Sequence, residues 1–171
     1  VCGGVLFRSI YNYRTSFALA AIGTGVVNTL LTIVPMLIVM LVLGLQIRWS
    51  IFYIFIPILF LALFSLGFGL ILSTLAVYFP DVAEMYQIVL TAWMYLTPII
   101  YPEEILPSNI HFIISTFNPM YSLVKLFRIP IYYGRLPNLE EFLFPAVLSI
   151  IVFIIGWLFF TYRSDEFAYR I

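Results

Sequence analysis

Residues 78–107 read Tyr-Phe-Pro-Asp-Val-Ala-Glu-Met-Tyr-Gln, then an uncharged run, then Thr-Pro-Ile-Ile-Tyr-Pro-Glu-Glu-Ile-Leu-Pro from 97 onward. The reading of this stretch decides the fold. A residue before proline is pushed out of the helical region, so a preceding helix has to stop at Phe79. Pro80 then suits the first position of a new helix, and Asp81 and Glu84 fall where the helix dipole favours negative charge. The plain reading is a well-formed helix start. The functional reading is a polar knob that meets a partner outside an apolar layer. At the far end, Thr97-Pro98 and Tyr101-Pro102 punctuate an exit. Residues 85–102 form the apolar crossing between these ends.

Composition says what is crossed. Of 171 residues, 64% are hydrophobic and 9% charged, against about 25% charged in a soluble domain. This chain is expected to be an all-α polytopic membrane protein. The eight basic and eight acidic residues cancel, so nucleic acid is not an expected partner, since it would need a basic face. The one cysteine, Cys2, allows neither an intrachain disulfide nor a cysteine metal site. The chain begins at Val1 without a signal-peptide pattern, and its natural N-terminus is expected upstream.

The gaps between charges outline the spans. No charged residue lies between Arg14 and Arg48, Arg48 and Asp81, Glu84 and Glu103, or Glu141 and Arg163. About 20 apolar residues cross a bilayer as a helix, so about four full transmembrane helices are expected, at 16–45, 51–79, 85–102 and 142–162. Residues 1–15 read as interfacial, with Arg8, Arg14 and several tyrosines. Pro35 offers the first span a place to bend, and Ala21 and Gly25 form a small pair fit for close helix approach. A tight turn is expected at 46–50, with Trp49 at interface depth. In the second span Ser65, Gly69 and Ser73 recur at four-residue spacing, a small-residue stripe and a candidate packing or sliding surface.

The gap between Glu104 and Lys125 differs. Ser108, Asn109, His111, Ser115, Thr116, Asn118 and Pro119 make it too polar and broken for one lipid-facing helix. Irregular backbone at membrane depth is tolerated only inside protein or beside a wet cavity. A re-entrant helical hairpin near 105–135 is the expectation. Lys125 and Arg128 share a face of its second arm; they either snorkel to headgroups or meet an anionic or sugar ligand. Four spans put both termini on one side, and the basic residues then divide too evenly for the positive-inside rule to orient the chain.

Catalytic chemistry has little to stand on. His111 is alone, no metal-ligand spacing occurs, and Gly23-Thr24-Gly25 lacks the lysine and strand of a phosphate loop. No carboxylate lies deep in a span, which weighs against a proton or sodium relay. Aromatic residues make up 19% of the chain; they serve either as interfacial belts or as stacking surfaces for sugars.

Taken in order, Phe79-Pro80-Asp81-Val82, Thr97-Pro98-Ile99-Ile100-Tyr101-Pro102, Leu106-Pro107, Asn118-Pro119 with Arg128, and the closing Phe160, Arg163, Glu166 and Phe167 resemble the ABC-2 type exporter permeases. The similarity is to the branch that exports polysaccharides and polyol phosphates, namely O-antigen, capsule-type glycans or teichoic acids, and it covers about 12–171. The resemblance implies a single transmembrane permease domain over 1–171, incomplete at the N-terminus, in the cytoplasmic (inner) membrane. It implies a cytoplasmic Asp81 turn, an external hairpin, and pairing of two permeases around a channel. It also implies a separate ATP-binding cassette subunit that binds and hydrolyses ATP, so that this chain carries no cofactor, metal or catalytic residue. The expected cargo is a lipid-linked glycan within membrane lipid. Candidate channel residues are Trp93, Tyr95, Tyr101, Tyr121, Lys125 and Arg128; candidate coupling residues are Asp81 and Glu84; Pro98, Pro102, Asn118 and Pro119 carry the structural motif. The family usually has arginine where this chain has Pro80. The alternatives are an ABC-2 permease for a drug or lipid, a membrane-embedded transferase of lipid-linked sugars, and a scaffold.

Overall fold

The computed structural model describes residues 3–44, 48–79, 81–99, 101 and 105–163. Among these every element is helical, as an apolar chain that must satisfy its own backbone in lipid requires. The chain divides into two compact units, 1–47 and 48–171.

The first unit is one helix, α1, Gly3–Val42, with Pro35 inside it. The expected boundary between an interfacial stretch 1–15 and a span at 16–45 does not exist, because the helix is continuous across it. Its apolar portion, Ala20–Val42, is long enough to cross a membrane. Thr24 and Thr29 donate their hydroxyls to carbonyls one turn back, and Thr32 to that of Thr29, which removes their polar cost in hydrocarbon. A Cβ placed at Gly25 would meet nothing within 4 Å, so the Ala21/Gly25 pair holds no close neighbour among the described residues.

The second unit opens with a 3-10 turn, Trp49–Ile54, which leads into α2, Phe55–Tyr78; Trp49 is fully open, as an interface anchor would be. After a link at 79–81 comes α3, Val82–Leu96. Two ten-residue helices follow, α4, Ser108–Phe117, and α5, Pro119–Arg128. A single π turn, Ile129–Tyr133, ends at Gly134 in the left-handed conformation. The last helix is α6, Leu139–Arg163. Among the described residues, the stretches Trp49–Tyr78 and Leu139–Arg163, with the α1 portion, are the three helices long and apolar enough to span. The fourth expected span, 85–102, is shorter than predicted. Its helix has 15 residues, about 22 Å at 1.5 Å per residue, because Thr97 leaves the helical region before Pro98. The hairpin expected near 105–135 is present as α4 and α5, hinged on Asn118.

Helices α2 and α6 pack along their length and run parallel. Phe60 meets Phe142 at 5.5 Å between ring centroids, Gly67 meets Phe153 and Gly156 further along, and the Arg163 guanidinium lies 5.7 Å over the Tyr78 ring near the other end. A Cβ on Gly67 would sit 2.5 Å from the Phe153 Cα, and one on Gly156 would collide with the Gly67 carbonyl. Backbone therefore rests on backbone there, the close approach that small residues permit in membranes. The expected Ser65/Gly69/Ser73 stripe is not the face packed among the described residues: Ser65 and Ser73 are exposed and a Cβ on Gly69 would meet nothing. The packed face is instead Phe60, Phe64, Gly67, Leu70 and Thr74.

Two parallel neighbours need a return path. From the Asp81 end α3 leads back, and α5 closes onto the beginning of both long helices. Leu123 and Leu126 of α5 join Phe60, Phe64 and Ala146 in one buried cluster. The hairpin thus lies at the end where α2 and α6 start, and Asp81 at the end where α2 stops.

Candidate functional site

The site is built around one buried asparagine. Asn118 sits between α4 and α5 with extended backbone, a favoured N-cap residue, with Pro119 at the first helical position. Its Oδ1 accepts from the Met120 amide at 3.0 Å and from the Trp93 indole Nε1 at 2.8 Å. Its Nδ2 donates to Thr97 Oγ1 at 2.9 Å and toward the Leu96 carbonyl at 3.5 Å. Thr97 in turn donates to the Trp93 carbonyl at 2.9 Å. Asn118 is 8% exposed and Thr97 1%, so these bonds form out of water, where an unpaired polar group is costly. The Thr97-Pro98 and Asn118-Pro119 dipeptides, 21 residues apart, are two halves of one clasp that ties α3 to the hairpin. Pro98 is buried within it.

Other predicted residues take separate places. Tyr121 is 5% exposed; its ring stands edge-on to His111 at 5.9 Å, and its hydroxyl lies 3.3 Å from His111 Nε2. It closes the hairpin from inside. Tyr95 is 63% exposed, and its carbonyl accepts the Tyr101 hydroxyl at 2.9 Å. The four aromatics named from sequence therefore do not converge on one surface. Pro102 lies outside the described residues, as does Pro80.

The hairpin cations are held rather than free. Arg128 donates to the Ile99 carbonyl at 3.0 Å, a second tie between α5 and the α3 exit. Arg135 makes a two-pronged contact with Glu141, at 2.8 and 3.0 Å, and Lys125 approaches the same carboxylate at 4.0 Å. The Asn138 amide donates to Glu141 Oε2 at 2.9 Å. The Glu141 carboxylate pushes the Arg135 guanidinium further above its ordinary value. One acid at the start of α6 thus gathers the loop and the second arm of the hairpin. Gly134 closes the π turn with φ +59, a conformation that favours glycine, and the flexible Arg48 side chain lies against it. From sequence Glu141 reads as a span boundary alone, because its partners Arg135 and Lys125 are six and sixteen residues away in a loop and an arm whose fold is not periodic.

At the opposite end Asp81 and Glu84 are exposed. Asp81 precedes α3 with no side-chain cap bond, so its carboxylate is presented outward. Between α2 and α3 lies a cavity of about 290 Å³ walled by Phe64, Phe68, Tyr86, Leu90, Trp93 and Met94, among others.

A family model for the ABC-2 type transporter membrane domain matches residues 5–132. The chain belongs to the ABC-2 type transporter family. With its long apolar helices it is a multi-pass protein of the inner membrane. This ABC-2 chain is similar to an O-antigen export system permease protein RfbA from Myxococcus xanthus, 27% identical over 146 residues, which covers 85% of the chain and 56% of that relative. It is also similar to RfbA proteins of the same description from Klebsiella pneumoniae, at 28% and 29% identity over 106 residues, 62% of the chain and 40% of each relative. The ABC-2 chain spans about half the length of these relatives.

Proposed function

We propose that this chain is part of the permease subunit of an ATP-driven exporter that moves a lipid-linked polysaccharide or polyol phosphate across the cytoplasmic membrane. The observation that carries the reading is the clasp. The two proline-marked motifs that suggested the glycan-exporting branch form one hydrogen-bonded unit on Asn118, and the relatives in that branch are named as O-antigen export permeases. In this reading the Asp81 turn faces a separate ATP-binding cassette subunit, two permeases pair around the channel, and the hairpin guards the exit. ATP is bound and hydrolysed by the partner, not by this chain. Hydrolysis shifts α3 from its acidic end, and the clasp passes the shift to the hairpin.

The test is purification of the full-length protein in mild detergent together with deletion of its gene. An ATP-binding subunit in equal amount and undelivered glycan accumulating inside the cell are the expected results. Purified protein that turns over a lipid-linked sugar without ATP or partner would establish a transferase instead.

A further inference from the structure

The cavity between α2 and α3 shares Trp93, Thr97 and Met120 with the clasp, and its chemistry is specific. Its lining is hydrocarbon and ring: Phe64 and Phe68 stacked at 6.0 Å, Trp93 edge-on to Phe68 at 5.8 Å, then Leu90, Met94 and Met120. The polar groups of Trp93 and Thr97 that border it are already used, the indole N–H on Asn118 and the threonine hydroxyl on the Trp93 carbonyl. A sugar placed there would find only the Ser65 and Tyr86 hydroxyls and would leave most of its own unpaired, at several kcal/mol by the usual cost of burying polar groups. Water has the same difficulty, since a stable buried water needs two to four polar partners. An empty void of this size would forfeit dispersion contacts along both helices.

The mouth opens onto an exposed apolar face of α3. Leu90 and Met94 are both lining residues and exposed, and Met85, Ile88 and Val89 beside them are exposed apolar side chains of the same helix. Two hydroxyls remain available among the described residues: Ser65 on α2 and Tyr86, one turn into α3 from the Asp81 end. A tyrosine with an apolar body and a polar tip suits the depth of lipid ester groups.

We propose that this cavity holds one ester-linked acyl chain of a bilayer phospholipid, entering from the leaflet on the Asp81 side, with Tyr86 donating to the ester carbonyl and the chain lying along Phe68 and Trp93. The lipid acts as a removable filler between α2 and α3. The inference rests on the chain spanning a membrane and not on the identity of any exported polymer.

Trp93 supplies the probe. In the full-length protein, Trp49→Phe and Trp157→Phe leave Trp93 as the single tryptophan of this region; tryptophans elsewhere in the full chain are replaced likewise. The protein is placed in bilayers of phosphatidylcholine brominated along the acyl chain, which quenches indole only at contact. Trp93 emission is expected to be lost relative to unbrominated lipid. Ser65→Phe, which plugs the cavity from α2, should restore it, and so should Leu90→Phe at the mouth. Both plugged variants must keep the melting temperature of the parent, and two independent plugs guard against one that misfolds. Tyr86→Phe should weaken quenching without plugging. Unquenched Trp93 in the parent would mean that protein or glycan fills the cavity, and equal quenching in parent and plugged variants would mean lipid merely passes its mouth. Either result overturns the proposal.

Discussion

Asn118 spends all of its side-chain bonding capacity inside the chain: two bonds at the oxygen and two at the amide nitrogen. Asn118→Ala would leave the Trp93 N–H without its acceptor and remove the cap of α5. At 1–3 kcal/mol for a buried group left unpaired and about 1 kcal/mol for a lost cap, a loss of about 2–4 kcal/mol is expected, read as a lowered unfolding midpoint in detergent. Asn118→Asp keeps the acceptor but cannot donate to Thr97, and should fall between the two. Nothing in the sequence pairs Asn118 with Thr97. Each reads as a local stop signal, and only the return of the chain through α3 and α4 brings them within 2.9 Å. The cations at 125 and 128 were legible as sharing a face, but not that Glu141 and the Ile99 carbonyl already engage them.

At the scale of helices, charge spacing and proline placed most boundaries correctly, since both act locally: α2 ends at Tyr78 and α3 at Leu96, each before an X-Pro step. The charge gap misjudged α3, because it runs on past the proline to Glu103. The packing face was not legible. Ser65/Gly69/Ser73 and Phe60/Gly67/Thr74 are both good helical stripes, and the choice belongs to α6, whose Gly156 lies opposite Gly67. Two substitutions separate them. Gly67→Ala forces a Cβ into the backbone of Phe153 and should cost about 1–3 kcal/mol. Gly69→Ala meets open space and should be neutral or gain about 0.5–1 kcal/mol through helix propensity. Thermal unfolding of the pair measures the contrast. Glu141→Gln tests the other junction of elements: it removes the charge shared by Arg135 and Lys125, so amide exchange across 129–141 should accelerate while α2 and the middle of α6 keep their protection.

For the whole molecule, the parallel run of α2 and α6 fixes which features share an end. The hairpin, Arg48, Lys125, Arg135 and Glu141 gather where these helices begin; Tyr78, Asp81 and Arg163 gather where they finish. The proposed function gives the two ends different work, and Asp81→Lys is the variant that separates them. The carboxylate makes no cap bond within the chain, so the fold should persist and the melting temperature should fall only by what the helix-dipole term is worth, about 0.3–1 kcal/mol. Stimulation of the partner's ATPase by the permease should fall. Export unaffected by Asp81→Lys would return the residue to the part of a helix-start charge.

The contact at Gly67 and Gly156 has a mechanical consequence. Side chains can change rotamer, whereas two touching backbones cannot, so at this contact α2 and α6 have no side-chain layer to repack and can shift only as whole helices. Gly67 lies twelve residues from Phe55 and eleven from Tyr78, about 18 Å and 16 Å at 1.5 Å per residue. The two arms are nearly equal. The point where α2 is held without side chains between backbones therefore lies at its middle, not at either end.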